Sequence, residues 1–178
     1  MRGRDLLYPK FIGGRGALGL LFLRIVVGAA FILHGWGKIR DPFGWMGPDA
    51  GVPDSLEAAA AIAEFCGGAA LILGLFTPLA ALGLIGVMLG ALGMVHLPAG
   101  HPFVSTSGQS FELPLTYLAV AVMFLLAGPG TWSLDAWLFP GRGRTTDAPP
   151  QPTDKDKDKA DRRAGRDRRR PRTPAVAG

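Results

Sequence analysis

Six ionisable side chains stand in or at the ends of strongly apolar runs. Arg24, His34 and Lys38 fall along the first run, Glu64 sits inside the second, His96 closes the third, and Glu112 opens the fourth. A charge in such a segment is costly, so it faces a protein interior or a watery cavity and marks a place where chemistry is done. Position along the runs sorts these residues into two groups. Arg24 and Glu64 lie deep in their segments, at levels about 8 Å apart if each helix starts at the edge of a hydrocarbon core. An extended arginine covers most of that gap, which predicts an Arg24–Glu64 ion pair, each charge relieving the other. His34, Lys38, His96 and Glu112 share a level nearer the other end, with His101 in the adjoining loop.

The second group suits several kinds of chemistry. Imidazoles titrate near neutral pH and relay protons. Imidazole and ammonium groups also donate hydrogen bonds to the carbonyl oxygens of a quinone at the membrane interface. Two His and one Glu are, in principle, a metal-ligand set. No spacing resembles a metal motif such as HExxH, so no metal site is predicted. A polar rim satisfied by its own hydrogen bonds is the plainest alternative. The catalytic candidates are therefore His34, His96, Glu112 and Glu64, with Arg24 and Lys38 as structural or proton-path residues.

The elements that must position these groups are membrane helices. Four apolar stretches approach the roughly 20 residues that span a bilayer core: about 17–36, 56–75, 78–97 and 112–127. The fourth is short and needs its flanks to complete it. None alternates with period two, which argues against a membrane β-barrel. The fold class is an all-α membrane protein, a four-helix transmembrane bundle with a disordered C-terminal tail. The domains read as an N-terminal segment 1–16, a membrane domain 17–140 and a tail 141–178. Arg2, Arg4, Lys10 and Arg15 precede the first stretch as they would a signal peptide. Its length and internal charges predict an uncleaved helix instead.

Small residues mark the helix faces. Arg24, Gly28, Phe31, Gly35 and Lys38 share one stripe, and Ala60, Gly67 and Gly68 accompany Glu64. Gly83, Gly86, Gly90 and Gly93 recur on the third stretch. Such residues first suggest close helix packing and, second, a surface that accommodates a ligand. Cys66 is the one cysteine in the chain and is expected to be a buried small hydrophobe. Asp41-Pro42, Gly47-Pro48 and Val52-Pro53 mark a loop, Thr77-Pro78 a tight turn, and Gly128-Pro129-Gly130 the end of the fourth helix. Trp132, Trp137 and Phe139 follow as interfacial aromatics on a short surface helix.

Residues 141–178 hold 12 of the 19 Lys and Arg and 6 of the 14 acidic residues, leaving the body close to neutral. So polar a tail cannot offset its ordering entropy by burial. Its cluster from Arg162 to Arg172 suits anionic lipid head groups. Nucleic acid is not an expected partner of a membrane-tethered segment. The Lys and Arg bias predicts both termini in the cytoplasm, giving a multi-pass membrane protein with the bilayer as its main partner.

Taken together, the ionisable residues and their setting resemble the DoxX family of bacterial inner-membrane proteins. The resemblance covers about residues 15–138. It rests on Arg24 with His34-Gly35 and Lys38, Glu64 with Gly67-Gly68, LILGLFTPLAA at 71–81, His96, Glu112 with Tyr117, and GPGTWSLD at 128–135. The family adds Tyr117 to the structural or proton-path set. It implies a four-helix membrane protein, with some relatives acting as subunits of a thiosulfate:quinone oxidoreductase and others tied to thiol or oxidative-stress redox complexes. Three functions follow as expectations. The first is a membrane subunit of a quinone-linked oxidoreductase, with electrons supplied by a partner because the chain has neither a flavin fingerprint nor a Cys cluster. The second is a non-catalytic anchor for a soluble redox enzyme. The third is a small-molecule carrier.

Overall fold

The computed structural model describes residues 11–48 and 50–139. The expected tail and the first ten residues lie outside that range. Four helices form the bundle: α1 (Gly14–Arg40), α2 (Asp54–Leu73), α3 (Thr77–Gly90) and α4 (Glu112–Ala127). A fifth, α5 (Leu134–Leu138), is the short surface helix. No strand occurs among the described residues. Helix α1, of 27 residues, reaches beyond both predicted ends. Helix α3 does not stop at Gly90 but widens into a π-helical turn, Ala91–His96, giving 20 helical residues in all. Helix α4 keeps its predicted 16 residues, about 24 Å of rise against a core of about 30 Å. The flanks do not extend it: Gly128 turns the chain out with φ 72°. Among the described residues, three helices are therefore long and apolar enough to cross a membrane, and one is shorter.

Packing explains the order. Helices α1 and α2 are antiparallel and touch backbone to backbone. A Cβ on Gly28 would meet the carbonyl oxygen of Gly68 at 2.6 Å, and one on Gly35 would meet the amide nitrogen of Phe65 at 2.7 Å. Only glycine permits that approach, and dispersion across a close contact is what associates helices where lipid is as apolar as the side chains. Leu20, Val27, Phe31, Leu71, Leu84, Met88 and Phe124 fill the space between the helices. Large apolar side chains such as Phe22, Leu33, Leu79 and Leu126 point outward, as a lipid-bathed surface requires. Cys66 is also on this exterior; its expected burial is corrected by the helix's rotation, which turns Glu64, Gly67 and Gly68 inward.

Two ends can be told apart. The terminal end holds the start of α1, the α2–α3 turn and the end of α4. The loop end holds the end of α1, the start of α2, the π-helical turn and the start of α4. At the terminal end the chain doubles back on itself, with Thr131 N–H donating to the Ile12 carbonyl at 3.0 Å.

Candidate functional site

The predicted Arg24–Glu64 pair does not form. Gly35 of α1 abuts Glu64 and Phe65 of α2, whereas Arg24 reaches Gly74 just past the end of α2. Ten residues separate Gly74 from Glu64, about 15 Å along the helix, roughly twice the predicted difference in level. Side-chain direction widens the gap. Helical side chains lean toward their own N-terminus, so Arg24 leans to the terminal end and Glu64 to the loop end. Helix ends standing level would bring the two charges within reach; the glycine contacts set a different register.

Each charge finds another partner. At the terminal end, the buried Arg24 guanidinium donates through Nη2 to the Trp132 carbonyl and feels the charge of Asp135. Asp135 is itself fully buried. Its carboxylate accepts from the Phe76 N–H at 2.7 Å and the Thr77 N–H at 2.8 Å, capping the start of α3. Its own N–H donates to the Gly74 carbonyl at 2.8 Å. Phe76 sits at φ 47°, an unfavourable conformation for a bulky residue, and the carboxylate holds it there. Gly74, at φ 63°, has no room for a Cβ beside the guanidinium. Asp135 was legible in the sequence only as the last residue of the GPGTWSLD run.

At the loop end, Lys38 Nζ lies 2.6 Å from Glu64 Oε1. The same ammonium sits 4.3 Å from the centre of the Trp45 ring. Trp45 donates its indole N–H to the Glu57 carbonyl at 3.1 Å, and the Met46 N–H donates to Glu57 Oε2 at 3.2 Å. Glu57, 3% exposed, pins the 41–53 loop over the pair. It was missed in the sequence, although it lies seven residues before Glu64 on the same stripe of α2. Glu64 has a side chain only 4% exposed, and its second oxygen, Oε2, has no hydrogen-bond partner among the described residues.

These groups border a cavity of about 460 Å³ between α2 and α3. Lys38, Glu57, Glu64, Trp45 and His96 give it polar points. Its walls are small: Ala59, Ala60 and Ala63 on one side, Gly83, Gly86, Gly90 and Ala91 on the other. A Cβ on Gly86 or Gly90 would meet nothing within 4 Å. Gly28, Gly35 and Gly68 are thus packing residues, whereas Gly86 and Gly90 of α3 leave space. The π-helical turn, a feature frequent at functional sites, supplies Met94, Val95 and His96 to the same wall. A mostly apolar pocket with a few converging polar groups is the usual form of a small-molecule site.

The predicted loop-end group is divided by the structure. Lys38 and His96 line the cavity with Glu64. His96 Nδ1 also lies 3.1 Å from His101 Nδ1, tying the 98–111 loop to the π-helical turn. His34 is exposed on another side of α1, its ring 6.3 Å from that of Tyr117 on α4. Tyr117 packs on Phe31 with ring centres 5.0 Å apart. Glu112 is exposed at the start of α4. Neither His34, Glu112 nor Tyr117 borders the cavity. Among the described residues no three His, Cys, Asp or Glu side chains gather closely enough to hold a metal ion.

The bundle and its cavity define a small polytopic membrane protein with a half-open, ligand-sized cavity between α2 and α3. The chain belongs to the DoxX family, whose model matches residues 19–97. That match contains Lys38, Glu57, Glu64 and His96. An uncharacterized protein of Haemophilus influenzae is 36% identical over 121 residues, spanning 67% of this chain and 90% of its own. Inner membrane protein YqjF of Escherichia coli is 29% identical, over 68% of this chain and 92% of its own. A Bacillus subtilis relative bearing the name "Putative oxidoreductase CatD" is 28% identical, over 70% and 90% respectively. No solved structure matches the chain.

Proposed function

We propose that this chain is the membrane subunit of a redox system that exchanges electrons with the quinone pool, and that the cavity between α2 and α3 receives the quinone ring. The observation that carries the reading is the Lys38–Glu64 pair on the wall of an apolar chamber of about 460 Å³. Flat glycine and alanine walls suit a planar ring, and the adjoining ammonium and carboxylate suit its oxygen substituents. Interconversion of quinone and quinol moves two electrons and two protons. The protons have carriers in Glu64 and Lys38; the electrons come from or go to a partner subunit bearing a redox cofactor. The oxidoreductase name of the Bacillus relative agrees with this class of activity. The same reading places the chain in a bacterial inner membrane with both termini cytoplasmic.

Trp45 on the cavity wall supplies the test. A decyl-substituted benzoquinone titrated into the detergent-purified protein is expected to quench saturably the part of the tryptophan fluorescence that Trp45→Phe removes, the chain having three other tryptophans. Gly86→Leu, whose Cβ would meet nothing within 4 Å on the cavity wall, should weaken that quenching at least tenfold. Quenching that never saturates, or that Gly86→Leu leaves unchanged, would remove the cavity from the function and leave the anchor reading in its place.

A further inference from the structure

Resting on that reading, we infer that the cavity selects the reduced, hydroxylated form of its ligand over the oxidised carbonyl form. The selection comes from Glu64. Its Oε1 is taken by Lys38 at 2.6 Å, while Oε2 is buried and has no hydrogen-bond partner among the described residues. An ion-paired carboxylate is an acceptor only. A buried acceptor left without a donor is costly, and a ligand that supplies the donor gains what the empty site lacks. A quinone carbonyl cannot do so, because it is itself an acceptor, and it would set two oxygens against each other. A phenolic or quinol hydroxyl does so directly.

Lys38 completes the fit. An ammonium has three N–H donors. One goes to Glu64, and the ring of Trp45 lies 4.3 Å away on the same group. Oε2 is covered, so a small turn of the Glu64 carboxylate would let a hydroxyl beside the pair donate to it while accepting from Lys38. A carbonyl would use Lys38 alone. Of the other polar groups on the wall, Trp45 gives its N–H to the Glu57 carbonyl, and His96, already 3.1 Å from His101, can meet an oxygen of either form, so neither offsets the difference made at Glu64. Gly86, Gly90, Ala60 and Ala63 present no polar side chain, and the Glu57 carboxylate, which also lines the chamber, is another acceptor that binds the Met46 N–H. Sites built to hydrogen-bond a hydroxyl discriminate strongly against analogues that lack it, because the site's own polar group is then left unpaired.

The experiment compares three ligands of one shape on the purified full-length protein under anaerobic conditions: decyl-benzoquinone, its hydroquinone, and the hydroquinone dimethyl ether. Dissociation constants are read from Trp45 quenching, and the potential of the bound couple from a redox titration. The hydroquinone should bind roughly tenfold or more tightly than either the quinone or the ether. The potential of the bound couple should move upward accordingly, since tighter binding of the reduced form favours reduction. In Glu64→Gln the amide can both donate and accept, so the ratio between hydroquinone and quinone should fall toward one. A quinone that binds as tightly as the hydroquinone overturns the hydroxyl selection while leaving the cavity as a quinone site. A preference that survives Glu64→Gln removes it from Glu64. No saturable binding of any of the three overturns the cavity reading itself. If Glu64→Gln does not fold, the three-ligand comparison on the unaltered protein still decides the selection.

Discussion

Each end of this bundle sets a basic side chain beside a buried carboxylate, Arg24 near Asp135 and the partly exposed Lys38 on Glu64, and the two are used differently. At the terminal end, Asp135 gives both carboxylate oxygens to backbone N–H groups, and Arg24 reaches the Trp132 carbonyl through Nη2, its Nε and Nη1 having no hydrogen-bond partner among the described residues and no place on the cavity wall. There the charges are woven into the main chain, closing a helix start, a turn and α5 into one unit. At the loop end, Lys38 and Glu64 bond each other and leave an oxygen over. That end also has the cavity. A charge whose partners are backbone groups holds a fold. A charge whose partners are incomplete at the edge of a chamber is available to a ligand.

The contrast breaks first at Asp135. Asp135→Ala removes the cap of α3 and leaves the Arg24 charge buried without its counter-charge. Two backbone N–H groups lose a charged acceptor worth about 1.5–3 kcal/mol each, so the thermal unfolding temperature of the purified protein should drop more than for any loop-end variant. A drop no larger than that of Lys38→Met would erase the distinction. Gly68→Leu comes next. A Cβ there would meet the Gly28 carbonyl oxygen at 2.7 Å, and overpacking of this kind costs about 1–3 kcal/mol. The unfolding temperature should fall with Gly68→Leu and hold with Gly86→Leu.

At the loop end the effect on folding should be smaller, because Lys38 is a quarter exposed. Lys38→Met strands the Glu64 carboxylate and should destabilise the protein. Lys38→Met combined with Glu64→Met should recover most of the loss, since an ion pair can be replaced by packed apolar groups at little cost. The double variant should nevertheless abolish saturable quinone quenching. Recovery of both stability and binding would show that the pair is structural after all. The smallest effect is expected from His34→Ala. His34 is exposed and away from the cavity, so dissociation constants should stay within about twofold, as surface changes usually do. A tenfold loss would move the site to the face shared with Tyr117.

Much of the architecture was legible in the sequence because hydropathy is a local property. About 20 apolar residues in a row can satisfy their backbone in lipid only as a helix or a barrel strand, and the absence of alternation removes the second. Helix α4 was placed to the residue, and Thr77-Pro78 marked the start of α3. The π-helical turn was not visible, since nothing local separates it from the end of an ordinary helix. Cys66 was misplaced for a related reason: an apolar run says that a residue is out of water and does not say whether it meets protein or lipid.

The sequence by itself determined that this protein crosses a membrane on helices, that Arg24, Lys38, Glu64 and His96 interrupt them, and that small residues pave their faces. The choice of partners belonged to the tertiary structure. Pairing depends on register and rotation, and both were set by contacts between distant residues, Gly28 with Gly68 and Gly35 with Phe65. Those two close approaches slide α1 along α2 until Lys38, and not Arg24, stands beside Glu64. The same packing leaves Gly86 and Gly90 facing open space, which makes a cavity out of residues that read equally well as a seam.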